Sequence, residues 1–196
     1  MTRTSYIRID AYDRVVGGGK LRNAPSDSLE SRYIQSDADL TAMLNSETVF
    51  VWDGAQFVDT GQSKTVAPYF VWSKEQNGWI DGRDLDQKKA DKWVEIKAAR
   101  DAQEFGTFDW GGYTFQCDEV SQRRIQGAVQ LSAIDDTLTL DWTLADNSVQ
   151  NFAASEYVQI GVALATHVSG CHARGRILRN QIESATTEAE LEAIVW

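Results

Sequence analysis

Cysteine, histidine and basic residues are all scarce in this chain, and each shortage removes a class of function. Two cysteines, Cys117 and Cys171, stand far apart, too few for the disulfide framework of a small secreted domain. Reduced thiols in a cytoplasmic product are the expectation. Nineteen Lys and Arg against 29 Asp and Glu give a formal net charge of -10, so the molecule should repel nucleic acid and anionic membrane. No apolar run approaches the roughly 20 residues that span a bilayer, and Met1 to Asp10 has no apolar signal-peptide core. Neither nucleic acid, membrane insertion nor export is therefore expected. What the chain does hold is aromatics, with seven tryptophans in 196 residues, a residue favoured in cores and interfaces alike.

The stretch from Trp93 to Asp118 anchors the reading of the rest. Helical spacing runs to about Gln103, Gly106 marks the joint, and Phe108, Trp110, Tyr113 and Phe115 then alternate about Gly111-Gly112, which predicts a hairpin whose two-residue turn needs positive φ. Asp118 is placed to cap a following helix carrying Ile125, Ala128, Val129 and Ser132. Upstream, Asp84 with Gln87 has the spacing of a capping box, which starts the first of these helices at Leu85.

Before that helix, strand signals dominate. Tyr6, Ile7 and Ile9 read as a strand, with Val15-Val16 as its partner running into a flexible Gly17-Gly18-Gly19 turn, and Lys20 to Ser31 as a loop. Ser36 or Asp37 caps a short helix with Leu40, Met43 and Leu44. Thr48 to Trp52, Asp53-Gly54 and Gln56 to Val58 predict a hairpin with a type I′ turn. Phe70-Val71-Trp72 and Trp79-Ile80-Asp81-Gly82 echo it twenty positions on, either as a weak duplication or because ribbons reuse aromatics. After the second helix, Leu138, Leu140 and Trp142 alternate towards Ala145 to Ser148, and Val149 to Phe152 return. A long helix follows from about Ser155 to Glu183, with a seam at Tyr157, Ile160, Leu164, Val168, Cys171, Gly175, Leu178 and Ile182. Gly161, Gly170 and Gly175 within it should be compensated by a close neighbour. Thr187 with Glu190 opens a terminal helix reaching Leu191, Ile194, Val195 and Trp196. The expected class is α+β: a β-rich region over residues 1–83, made of hairpins and one short helix, and an α+β domain over 84–196 with two hairpins and a long helix.

Several motifs of the C-terminal half, taken in order, resemble one family. They are Trp93-x-x-Ile96-Lys97-x-x-Arg100, the Gly-Gly-Tyr-Thr-Phe-Gln-Cys-Asp of 111–118, Ser121-Gln122-x-Arg124-Ile125-x-Gly127-Ala128, Trp142-x-x-x-Asp146-Asn147, and Ala185-Thr186-Thr187-x-x-Glu190-Leu191. Over about residues 88–196 the chain is similar to the domain of unknown function that recurs near the C-terminal ends of tailed-bacteriophage tail proteins, including tail-fibre and fibre-assembly proteins. The resemblance implies a virion or virion-assembly setting, made in the host cytoplasm and located in the tail. It brings no catalytic residues. Ala153 departs from the pattern where a capping Thr is expected.

Chemical constellations are thin. His167, Cys171 and His172 are spaced for one metal face of a helix, but a structural zinc wants four ligands, so a packed cysteine and two solvent-facing histidines is the preferred reading; no cofactor or metal is expected. A Cys-His nucleophile lacks an orienting third group. Gly17-Gly18-Gly19-Lys20 lacks the spacing of a phosphate loop. Asp135, Asp136 and Asp141 have nothing that fixes the separation glycoside hydrolysis requires. His172, Arg174, Arg176 and Arg179 form a basic cluster suited to dipole compensation or to docking an acidic partner. Arg100 should sit at the edge of the buried stripe, paired with Asp109 or Asp118.

These readings favour a non-enzymatic structural component of a phage tail, at the fibre or baseplate, over a tail-fibre assembly chaperone and, third, an enzyme acting on host-surface glycan. Strict alternation makes both faces of the two N-terminal ribbons apolar, so Phe50, Trp52, Phe57, Phe70, Trp72 and Trp79 are the candidate contact residues. The partners expected are other tail proteins or further copies of the chain.

Overall fold

A computed structural model describes residues 3–196, and the chain divides into two units, Met1–Arg83 and Asp84–Trp196. In the first, β1 (Thr4–Asp10) is the centre of a three-stranded antiparallel sheet, between β2 (Val15–Leu21) and β3 (Ser31–Gln35). Ile7 and Ile9, two apart on one face, are buried by it. The glycines read as a flexible turn lie inside β2 instead. Gly18 takes φ +143° opposite Ile7, and a Cβ there would stand 2.3 Å from the Tyr6 carbonyl oxygen. Glycine is thus what lets β2 approach so closely, next to a register shift at Arg8/Ile9. The supposed loop from Lys20 to Ser31 is accordingly bounded by strand at both ends.

The short helix α1 (Leu40–Asn45) is capped by Asp39, whose carboxylate accepts from the Ala42 amide at 3.0 Å. Ser36 and Asp37 lie too early to reach that amide. Lys64 Nζ donates to the carbonyls of Met43 and Leu44, satisfying acceptors that the last turn leaves open. Two hairpins follow, β4 (Thr48–Trp52) with β5 (Phe57–Ser63), and β6 (Phe70–Ser73) with β7 (Gly78–Asp81). The first is not closed by a type I′ turn. Trp52 pairs with Phe57, only Gly54 of the loop has positive φ, and Asp53 Oδ1 accepts from the amides of Ala55 and Gln56. The aspartate's own side chain therefore builds the turn.

In the second unit, α2 (Leu85–Glu104) starts from the Asp84/Gln87 capping box. The hairpin β8 (Thr107–Trp110) with β9 (Tyr113–Gln116) turns through Gly111 and Gly112, at φ +60° and +84°. Then come α3 (Glu119–Ser132), the hairpin β10 (Thr139–Thr143) with β11 (Val149–Ala153), the 31-residue α4 (Ala154–Ser184) and α5 (Glu188–Glu192). The fold is α+β. Two cores fill this unit. One gathers Phe108, Phe115, Cys117, Ile125, Phe152 and Tyr157 between hairpins and helices; the other joins Ile96 of α2, Leu178 and Ile182 of α4, and Leu191 and Ile194 near the C-terminus. The α4 seam is buried at every expected position except Val168, which is half-buried. Ala153 gives α4 no side-chain cap, but Glu156 accepts from the Ala153 amide at 2.8 Å. α5 is shorter than expected: Ile194 to Trp196 lie beyond its end.

The glycines of α4 differ in what surrounds them. A Cβ on Gly161 would stand 2.6 Å from Cγ2 of Val129 on α3, whereas one on Gly170 would meet nothing within 4 Å. Close packing thus accounts for Gly161 but not for Gly170. Gly170→Ala should raise stability by about 0.5–1 kcal/mol, the ordinary gain in a helix interior. Gly161→Ala should lower it, because Val129 is β-branched and stiff and overpacking costs about 1–3 kcal/mol. Urea unfolding of the two variants should move the midpoint in opposite directions.

Candidate contact surface and buried polar groups

The first unit covers its ribbons unequally. On β4 the face of Val49 and Val51 is buried, and the opposite face carries Phe50 and Trp52 half-buried. Across the strand pair, Phe57 packs against Trp52 with centroids 4.8 Å apart and ring planes tilted by 55°. On β6 the order reverses: Trp72 is buried at 5 % exposure and Val71 points out at 48 %. Trp72, expected among the contact residues, is therefore core. Its ring meets Trp79 edge-on at 5.2 Å, and Trp79 Nε1 donates to the Ser63 carbonyl at 2.7 Å. Phe70 is half-buried beside Tyr69.

One residue that sequence reasoning passed over organises this core. The Arg14 guanidinium lies 5.8 Å from the Trp72 ring, 5.4 Å from Trp79 and 5.2 Å from Tyr12, and is paired with Asp10 at 2.7 Å. A weakly hydrated planar cation suits an aromatic box. Nothing at position 14 of the sequence announces it, because two of its ring partners, Trp72 and Trp79, come from a hairpin far along the chain. What remains only partly covered is the aromatic face of Phe50, Trp52 and Phe57.

The second unit brings His167, Cys171 and His172 near one another without making a ligand set. His167 Nε2 lies 3.0 Å from the Gln103 carbonyl oxygen, which can only accept, so this nitrogen carries the proton. Cys171 Sγ is 4.0 Å from it. His172 Nε2 turns to the buried carboxylate of Glu104 at 3.2 Å. Burial pushes the Cys117 thiol up to about 11 and raises that of Cys171, so both stay protonated and are poor nucleophiles. Both are free. Among the described residues no group of three or more His, Cys, Asp or Glu is placed to hold a metal.

The remaining charged candidates have local partners. Arg100 pairs with its neighbour Asp101 at 2.6 Å, not with Asp109 or Asp118, which instead serve Thr114 and the start of α3. Arg174 lies over Trp196 and Arg179 over Trp93, at 4.9 and 5.2 Å, so the basic cluster is spread over two rings. Asp135 accepts from the amide and hydroxyl of Thr137, and Asp141 from the Asn151 amide group at 2.7 Å. These are turn and strand roles. No helix among the described residues is long and apolar enough to cross a membrane.

Asp118 shows how the electrostatics serve the fold. Its carboxylate accepts from the Ser121 hydroxyl at 2.7 Å and from the amides of Ser121 and Val120, and these bonds hold it below the ordinary value of 3.8. A depressed carboxylate contributes stability above its unfolded value and loses it as pH falls through the folded one. Unfolding midpoints should therefore drop as pH is lowered beneath about 4. Asp118→Asn should flatten that slope, because the amide oxygen still caps but no longer titrates in this range.

Comparison with known proteins returns a family model, described as a domain of unknown function (DUF4376), over residues 87–195. No curated protein and no solved structure matches.

Proposed function

Since the chain belongs to the DUF4376 family through residues 87–195, we propose that it is a non-enzymatic structural component of a bacteriophage or phage-like tail, at the fibre or baseplate. The tail setting comes from the resemblance of its C-terminal motifs to tail-fibre and fibre-assembly proteins. The observation that carries the contact role is the aromatic face of the first unit. Phe50, Trp52 and Phe57 stand together on a two-stranded ribbon whose other face already fills the core. Such a face binds through a few large anchors that lose water on docking. The partner is another tail protein or a further copy of the chain.

Quantitative mass spectrometry of purified particles tests this reading. A structural component is present at a fixed whole-number copy per particle. Absence from particles whose fibres have formed would assign the chain to transient fibre assembly instead, the chaperone reading.

A further inference from the structure

Three dipeptides in the chain place aspartate or asparagine before glycine: Asp53-Gly54, Asn77-Gly78 and Asp81-Gly82. A glycine carries no Cβ, so its nitrogen can approach the preceding side-chain carbonyl carbon closely enough to close a five-membered ring. Two of the three are held against this. The amides of Gln56 and Ala55 hold the Asp53 carboxyl below its ordinary value, and the Arg83 guanidinium pairs with Asp81 at 2.6 Å. Both are ionised carboxylates, which have no leaving group. Asn77 differs in each respect. Its side chain is a neutral amide, exposed at the end of the 74–77 turn, and makes no hydrogen bond to any described residue. Its backbone is left-handed, at φ +48°. Gly78 opens β7 and pairs with Ser73 as the last rung of the β6–β7 ladder, the rung that frays first.

We propose that Asn77 is a site of spontaneous covalent modification, at which the Gly78 backbone nitrogen displaces the side-chain amide of Asn77. The Gly78 nitrogen gives up its proton and bonds to Asn77 Cγ, the bond from Cγ to the side-chain nitrogen breaks, and that nitrogen leaves with the proton as ammonia. The product is a cyclic imide. Water then opens it: cleavage of the Cγ bond leaves aspartate, and cleavage of the original backbone bond leaves isoaspartate, with the chain running through Cγ. No electron is transferred and water is the only co-reactant. Either product adds a negative charge to a turn that already carries Glu75. Isoaspartate also adds one backbone atom to the loop that Ser73 and Gly78 close, two residues from Trp79 of the first-unit core. Asn147 shows why the glycine matters. It too is left-handed, at φ +68°, but the residue after it is Ser148, which bears a Cβ and whose amide donates to Asp146 Oδ1 at 2.9 Å. This inference rests on the β6–β7 turn and needs nothing from the tail reading.

Peptide mapping of the intact, folded chain, sampled over days in mildly alkaline buffer, tests it. The tryptic peptide Glu75–Arg83 should gain the mass difference between an amide and a carboxyl group, and part of it should accept a labelled methyl group from isoaspartyl methyltransferase. Asn77 should convert roughly tenfold faster than Asn147 in the same molecules, a barrier difference of about 1.4 kcal/mol. In Gly78→Ala the new Cβ would meet Gln76 O at 3.7 Å and Gln62 Cδ at 3.9 Å, ordinary contacts, so circular dichroism should be unchanged while conversion slows by a similar factor. Should that variant fail to fold, the comparison of Asn77 with Asn147 in the wild type decides alone. An Asn77 that converts no faster than Asn147, a Glu75–Arg83 peptide that takes no methyl label, or a folded Gly78→Ala that converts at the wild-type rate overturns the proposal.

Discussion

Phe115→Ala is expected to remove about 3–5 kcal/mol of stability from the second unit, the usual range for emptying a buried aromatic site. Phe115 is fully buried and its ring lies 5.2 Å from Phe108, 5.6 Å from Phe152 and 6.3 Å from Trp142. These rings come from two hairpins, which also meet where Trp110 and Tyr113 pack on Phe152. Neither hairpin can collapse into the hole, because the short Gly111-Gly112 turn fixes one and the β10–β11 pairing the other. Against a typical domain stability of about 5–15 kcal/mol the loss is severe. Hydrogen exchange read on amides of α3 and α4 should show the drop, while Val120→Ala, at an exposed position, should stay within about 0.5 kcal/mol of wild type.

The second large effect is on assembly. Trp52→Ser with Phe57→Ser should abolish incorporation of the chain into its particle while the second unit keeps its wild-type stability. Aromatic anchors at the centre of an interface cost about 2 kcal/mol or more each when truncated, roughly 30-fold in affinity. Losing two neighbouring rings leaves no anchor on that strand pair except Phe50. Trp72 is the wrong target for such a test, since it is core and its loss should unfold the first unit. Incorporation measured by mass spectrometry, beside circular dichroism of the purified variant, separates the two causes. Normal incorporation of Trp52→Ser/Phe57→Ser would place the docking surface elsewhere.

How far the fold could be read from sequence depended on whether its signals were local. Asp84 with Gln87, Asp118 with Ser121, and Thr187 with Glu190 lie within one turn of their partners, so those helix starts were legible to the residue. The α4 seam was equally plain, because one helix repeats one period over 31 residues. Gly17 to Gly19 misled because glycine composition cannot distinguish a turn from a strand that another backbone approaches within 2.3 Å of a missing Cβ. The Asp53-Gly54 turn misled for a related reason: the dipeptide suits several turns, and the Asp53 side chain chose among them.

The candidate contact face was half legible. Alternation identified which aromatics share a side, but not which side faces the core. On β4 the core took the valines, and on β6 it took the tryptophan, a choice that alternation within either strand does not make. Distant pairing is likewise what placed His172 against Glu104, whereas Arg100 took its own neighbour Asp101.

Hydroxyl-radical footprinting of Trp52 and Phe57, in the free chain and in purified particles, tests the central claim most directly. Both rings are half-buried in the chain itself, so they react when it is free. If the aromatic face docks on a tail partner, both become protected in the particle, while Val71 on the neighbouring ribbon sets the scale for an exposed position of the same unit. Equal reactivity of Trp52 and Phe57 in the free and the assembled states contradicts the account.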